Sequence, residues 1–194
     1  MANENSSDRW VFFKENLRSQ RTVGALAPSS PSLTRAMLDE AEVEQARVIV
    51  EFGPGTGVFT QEIVRRMDAN ARLIVLEINA TFVENLRSRI EDKRVEIING
   101  SAADVAKHLA ERGLSQPDCI VSGLPFGSLP APVSQAILEA TRDTLAPGGV
   151  FVTFQYTTLR KRLLYSYFPG ARFTRLILRN FPPALVFAWH KPRS

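Results

Sequence analysis

The stretch EFGPGTGVFT, residues 51–60, places glycines at positions 53, 55 and 57 directly after the apolar run VIV. Glycine lacks a Cβ and enters left-handed backbone regions freely, so this spacing after a strand describes a tight turn whose bare backbone a ligand approaches closely. Strand, turn and following helix together make a nucleotide-cofactor loop. A dinucleotide fits poorly, because its fingerprint requires glycine at position 58, where Val58 stands, and its pyrophosphate would lie beside Glu51. A carboxylate at the strand end suits a ligand that carries an ammonium group.

Outward from this loop, short β-branched runs alternate with longer amphipathic ones. RVIVEF, RLIVLE, VEII, DCIVSG and GVFVTFQY are separated by helical patterns near 58–68, 80–92, 103–112 and 132–146. Continuous apolar strands alternating with helices predict a parallel sheet covered on both faces, a doubly wound α/β fold. A further helical stretch, TTLRKRLLYSYF, precedes two strand-like runs, ARFTRLILRN and ALVFAWHK. The break Phe181-Pro182-Pro183 between them is short enough to permit only an antiparallel hairpin. The first forty residues read as an N-terminal amphipathic helix and lid segment, 1–40, ahead of the main domain, 41–194. Trp10, Phe13 and Leu17 form one stripe of that helix, with Lys14 and Arg21 on its flanks. Pro28 breaks it, and Pro31 starts a second helix through LTRAMLDEAE.

Two further strand ends complete the ligand reading. About twenty residues beyond the loop, Glu77 ends the second strand, where a carboxylate accepts both hydroxyls of a ribose. Ile78 follows it and can pack on a purine. The third strand leads into NGSAAD, with Gly100, Ser101 and Ala102 at a position suited to an adenine edge. The three ends describe an adenosine with an amino-acid tail. As a set, EFGPGTG, the Glu77 strand end and the fourth-strand motif resemble the class I S-adenosylmethionine-dependent methyltransferases. The likeness covers roughly residues 45–190. It implies a seven-stranded Rossmann-like sheet with an antiparallel last hairpin, and S-adenosylmethionine as cofactor. The implied cofactor residues are Glu51, Gly53, Pro54, Gly55, Gly57, Thr60, Glu77, Ile78, Gly100, Ser101, Ala102, Ser122 and Gly123. Many relatives have Asp where this chain has Ser101.

The acceptor pocket is expected at SGLPFGSLPAP after the fourth strand, a rigid span where open α/β sheets place their sites. Methyltransferases that act on RNA adenine usually begin this motif with Asn or Asp, and this chain has Ser122 and Gly123, although Leu124, Pro125 and Phe126 keep the rest. FFKENLRSQRTVGALAPSS, SGLP and FVTFQY are similar instead to the bacterial phospholipid N-methyltransferases, which methylate phosphatidylethanolamine. That resemblance implies a peripheral enzyme at the inner face of the cell membrane. Tyr156 is the first candidate for orienting the amine, with simple packing on the pocket wall as the alternative; Leu124 and Pro125 stand beside it in the catalytic set. Trp10, Phe13, Lys14, Arg18, Ser29, Ser30, Phe126, Arg160 and Lys161 are the substrate and membrane candidates. An RNA adenine N-methyltransferase and a cofactor-binding module without an acceptor site are the competing readings.

The charge pattern agrees with an anionic partner. Residues 1–35 hold five basic and three acidic side chains, residues 36–155 eleven and seventeen, and residues 156–194 eight and none. Basic ends suit anionic lipid or nucleic acid, with solvated charge on a terminal hairpin and helix as the alternative; the resemblance to lipid methyltransferases favours lipid. No run approaches the ~20 apolar residues of a spanning helix, and MANENSSDRW lacks the pattern of a signal peptide, so a cytoplasmic location is expected. The single cysteine, Cys119, excludes an internal disulfide and reads as a core residue. His108 and His190 lack ligand spacing, and no metal is expected.

Overall fold

The run VIVEF forms strand β1, Val48–Phe52, buried along its whole length because it lies inside a sheet covered on both faces. The structure is a computed structural model that describes residues 29–156 and 161–193. Helix α1, Pro31–Ala41, precedes β1, and α2, Val58–Arg66, follows it. Then come β2, Arg72–Glu77; α3, Ala80–Arg87; β3, Val95–Asn99; a 3-10 turn, Ala102–Asp104; and α4, Val105–Ala110. The chain continues through β4, Cys119–Ser122; α5, Ala131–Thr144; β5, Val150–Gln155; α6, Lys161–Tyr167; β6, Arg172–Ile177; and β7, Ala184–His190.

The seven strands lie in the order β3-β2-β1-β4-β5-β7-β6. The first five are parallel, and β7 runs antiparallel to both β5 and β6. The expected doubly wound sheet with its antiparallel last hairpin is therefore present. The helix expected over 80–92 stops at Arg87. Beyond it the Asp92 carboxylate accepts from the Arg94 amide at 2.9 Å, a local turn that competes with helix.

Side chains of β1 alternate between two apolar layers. Ile49 joins Leu33, Met37, Phe59 and Ile63 on one face, whereas Val50 and Phe52 join Leu109, Phe126, Leu138 and Phe151 on the other. Cys119 is fully buried in the first layer, as expected. The division expected at residue 40 falls within α1, whose Leu33, Met37 and Leu38 are buried in that same layer. Arg66 of α2 ties the end of α1 to the chain after it, bonding both Asp39 and Glu44. No described helix is long and apolar enough to cross a membrane.

The topology brings the functional ends together. β1 and β4 are neighbours, yet β2 and β3 lie on one side of them and β5 on the other, so the chain's winding reverses between them. A crevice opens at the carboxyl ends of such strands. Gln155 pairs with Leu185 and Ile177 with Ala184, which puts the connection between β6 and β7 at this same edge.

Met37 has no exposed surface and anchors α1 to the sheet. Met37→Ala should lower the unfolding free energy by about 2–5 kcal/mol, measured by urea denaturation.

Candidate functional site

At the end of β1 the backbone takes left-handed angles at Gly53 (φ 62°), Gly55 (φ 56°) and Gly57 (φ 83°). The three glycines are bare for different reasons. A Cβ on Gly53 would stand 2.6 Å from Leu124 Cδ2, and one on Gly57 would stand 2.4 Å from Leu86 Cδ2. Only at Gly55 would a Cβ meet open space. At Gly53 and Gly57 the fold's own leucines thus give a packing reason for the missing side chain beside the expected approach of a ligand, and Gly55 keeps open space. Pro54 is buried between them.

The β4 end closes against this turn backbone to backbone. Gly123 donates its amide to the Phe52 carbonyl at 2.8 Å, and a Cβ on Gly123 would lie 2.6 Å from the Gly53 carbonyl oxygen. Ser122 is fully buried, and its hydroxyl accepts from the Leu124 amide at 3.3 Å. Leu124 and Pro125 stay half-buried at the rim. Phe126 does not: it has no exposed surface and meets the Phe151 ring edge-on at 6.4 Å. Its assignment to substrate or membrane contact is corrected, because the turn that bonds the Phe126 amide to the Leu124 carbonyl directs the ring into the apolar layer.

Gln155, at the end of β5, clasps the same loop and had no role in the sequence reading. Its Oε1 accepts from the Gly127 amide at 3.2 Å, and its Nε2 donates to the Leu124 carbonyl at 3.2 Å. Thr153 extends the clasp by donating to the Ser122 carbonyl at 3.2 Å. The available signal was a pair of polar residues inside the apolar run FVTFQ, because buried polar side chains need partners.

Two carboxyls stand at the neighbouring strand ends. Glu51 is 1% exposed, and neither of its oxygens has a hydrogen-bond partner among the described residues. The Thr60 hydroxyl is also buried without a well-aligned partner, close enough to ease charge on Glu51. Burial pushes the Glu51 carboxyl up to about 8; Thr60 opposes the shift, and the nearby Glu77 charge adds to it. Thr60, expected at the cofactor, thus stands at the buried carboxyl. Glu77 is better supplied, with Oε1 accepting from the Asn79 amide at 2.8 Å.

The β3 end lies alongside. Gly100 donates its amide to the Glu77 carbonyl at 3.0 Å, and a Cβ there would collide with the His108 ring at 2.5 Å, which gives His108 a packing role. Ser101 is buried, its hydroxyl accepting from the Ala103 amide at 3.1 Å; Ala102 is buried as well, and Ile78 is half-buried against the same apolar layer. Across the crevice Tyr156 is half-buried, its ring edge-on to Phe154 at 5.4 Å. Burial raises its pKa, and a hydrogen bond with Asn180 opposes this. Ser30 caps α1 through the Leu33 amide at 3.2 Å and donates its own amide to Asn180 Oδ1 at 3.0 Å, while Ser29 precedes it, half-buried. Trp10, Phe13, Lys14, Arg18 and Arg160 lie outside the described residues, and Lys161 is described only as the first residue of α6. No cluster of His, Cys, Asp or Glu able to hold a metal occurs among the described residues.

Comparison with known proteins places these strand ends in a family. Residues 49–149 match the family described as a methyltransferase domain. The chain is 33% identical to the ornithine lipid N-methyltransferase of Singulisphaera acidiphila, over 91% of this chain and 93% of that protein. It is 26% identical to the ribosomal RNA small subunit methyltransferase A of Mycoplasma mycoides, over 57% of this chain but only 41% of that protein. The fold matches the N-methyltransferase NodS from Bradyrhizobium japonicum in complex with S-adenosyl-L-homocysteine, with a TM-score of 0.65 and 12% identity, covering 93% of this chain and 98% of that one.

The raised carboxyl has a consequence for stability. Glu51 titrates at an ordinary 4.5 when unfolded and at about 8 when folded, so the folded chain holds a proton that the unfolded chain gives up. Its contribution is complete below the unfolded value and is lost as pH rises through the folded one. Glu51→Gln stays neutral throughout. Its unfolding free energy should exceed that of the wild type by a margin that grows from about pH 5 to about pH 8, by about 1.4 kcal/mol per unit at most. A constant difference in urea titrations across that range would contradict the assignment.

Proposed function

Since the chain belongs to the methyltransferase-domain family and is an S-adenosylmethionine-dependent N-methyltransferase, we propose that it methylates the primary amine of a membrane lipid. The observation that carries this reading is the match to a lipid N-methyltransferase along nearly the whole of both chains. The ribosomal RNA methyltransferases match over less than half of their own length, and the Ser122-Gly123 pair lacks the amide or acid expected for holding an adenine amine. Phosphatidylethanolamine, expected from the sequence, and ornithine lipid, the substrate named for the relative, present the same chemistry: an alkylammonium on a membrane anchor.

The residues at the strand ends fit the cofactor. Glu51 offers buried carboxyl oxygens without hydrogen-bond partners among the described residues, Gly55 offers open space beside a bare backbone, and Glu77 is expected to accept the ribose hydroxyls. On this reading Glu51 balances the cofactor's cationic end, Glu77 holds the ribose, Ile78 packs on the purine, and Ser101 with Ala102 borders the adenine. When bound, the cofactor would supply a methyl group on a sulfonium sulfur, electrophilic toward an amine lone pair.

The chain's own part is to prepare the amine. An alkylammonium with a pKa of ~10.4 must lose its proton, at a cost of about 5 kcal/mol at pH 7, which partial desolvation reduces. Tyr156 stands half-buried at the β5 end to orient the nitrogen, and the Gln155 clasp keeps the rim at Leu124 and Pro125 in place. Fixed alignment and exclusion of water then supply most of the rate. The enzyme would work peripherally, at the cytoplasmic face of the membrane.

Purified protein incubated with methyl-labelled cofactor and detergent-dispersed phosphatidylethanolamine, ornithine lipid or total RNA should label a lipid. The two lipid arms identify the head group, and label in RNA alone would contradict the proposal. Glu77→Ala should weaken cofactor binding about ten- to a hundredfold by calorimetry, as expected for removing hydrogen bonds to a charged group, with the circular dichroism spectrum unchanged.

A further inference from the structure

Among the described residues, the large apolar side chains that stay exposed fall on the hairpin of β6 and β7. Leu176 is 57% exposed, Leu178 72% and Phe181 85%. Single exposed apolar residues are ordinary, but several together on one hairpin mark a surface that meets something apolar. The tip is also fixed in place. Asn180 turns inward, 3% exposed; its Nδ2 donates to the Pro182 carbonyl at 2.7 Å and its Oδ1 accepts from the Ser30 amide at 3.0 Å. The hairpin therefore turns Asn180 inward while Leu176, Leu178 and Phe181 stay outward.

Charge and position narrow the partner. Arg172, Arg175 and Arg179 are exposed along the same hairpin, and no acidic residue occurs in 156–194. Arg175 is only loosely held by Asp39 and Glu40, at 4.0 and 3.8 Å. The tip stands at the carboxyl edge of the sheet, on the rim that carries the glycine turn and Tyr156. A second copy of the chain paired along the edge strand β6 would bring Arg172 and Arg175 close to their own equivalents. Two of the three exposed side chains, Leu176 and Leu178, are aliphatic and offer nucleic-acid bases no stacking platform. Apolar side chains flanked by arginine are what an anionic lipid surface receives.

We propose that the β6–β7 tip, through Leu176, Leu178 and Phe181, inserts into an anionic lipid surface and seats the catalytic rim against it. This rests on the lipid reading above and adds to it the element that docks and the orientation it imposes.

The test uses the full chain with vesicles of phosphatidylglycerol and phosphatidylethanolamine, and with phosphatidylcholine vesicles for comparison. The double variant Leu178→Ser with Phe181→Ser should float with anionic vesicles at least about tenfold less well. It should keep its thermal unfolding midpoint, its cofactor affinity and its transfer to detergent-dispersed lipid. Phe181→Leu should retain flotation. Unchanged flotation of the double variant overturns the proposal, as does loss of dimer mass in sedimentation or loss of RNA retention caused by the same substitutions. The two readings fail separately. Wild-type transfer to lipid with unaltered flotation of the variant rejects only the tip, whereas tip-dependent flotation without transfer to any lipid rejects only the substrate.

Discussion

A carboxyl group placed on an otherwise apolar face of a central strand is the constraint on which the site turns. Alternation along β1 sends Glu51 toward the layer that holds Ile49, Phe59 and Ile63, where among the described residues no cation meets its oxygens and only Thr60 eases its charge. Burying a charge without a partner is expensive, and the group responds by holding its proton. A fold does not gain stability from such a residue. It gains a position that a cation can complete, and the proposed occupant is the cationic cofactor that the family uses.

The surrounding backbone makes that position reachable. Left-handed angles at three glycines turn the chain sharply after β1, and the abutment of Gly123 on the Gly53 carbonyl leaves no room for a side chain between the first and fourth strand ends. The Gln155 clasp and the Thr153 hydroxyl then lock the fourth-strand loop, so that wall of the crevice is set by hydrogen bonds and the glycine turn by close packing. Such prior arrangement matters in a reaction whose catalysis rests on alignment.

Much of this was legible in the sequence. Strand–helix alternation gave the parallel sheet, and the short Phe181-Pro182-Pro183 break gave the antiparallel hairpin. The spacing of Glu51, the glycines and Glu77 marked the strand ends that the fold brings together. What could not be read were contacts between residues far apart in the chain. Gly53 and Gly57 look alike in a motif, yet Leu124 and Leu86 fill the space beside them. Phe126 sits in an acceptor motif but points into the core, since the direction of a side chain in a loop follows from the turn geometry. Gln155 and Asn180 look like unremarkable polar residues until the loops they hold are seen.

Proton linkage on cofactor binding tests the central claim most directly. Calorimetric titration of S-adenosylmethionine near pH 7, in buffers of different ionisation enthalpy, reports the protons exchanged. With the Glu51 carboxyl raised to about 8, the free protein is largely protonated there, and a bound cation must draw the group back to its charged form. Release of close to one proton per cofactor, abolished in Glu51→Gln, is the predicted result. Binding enthalpies that are independent of the buffer would contradict it.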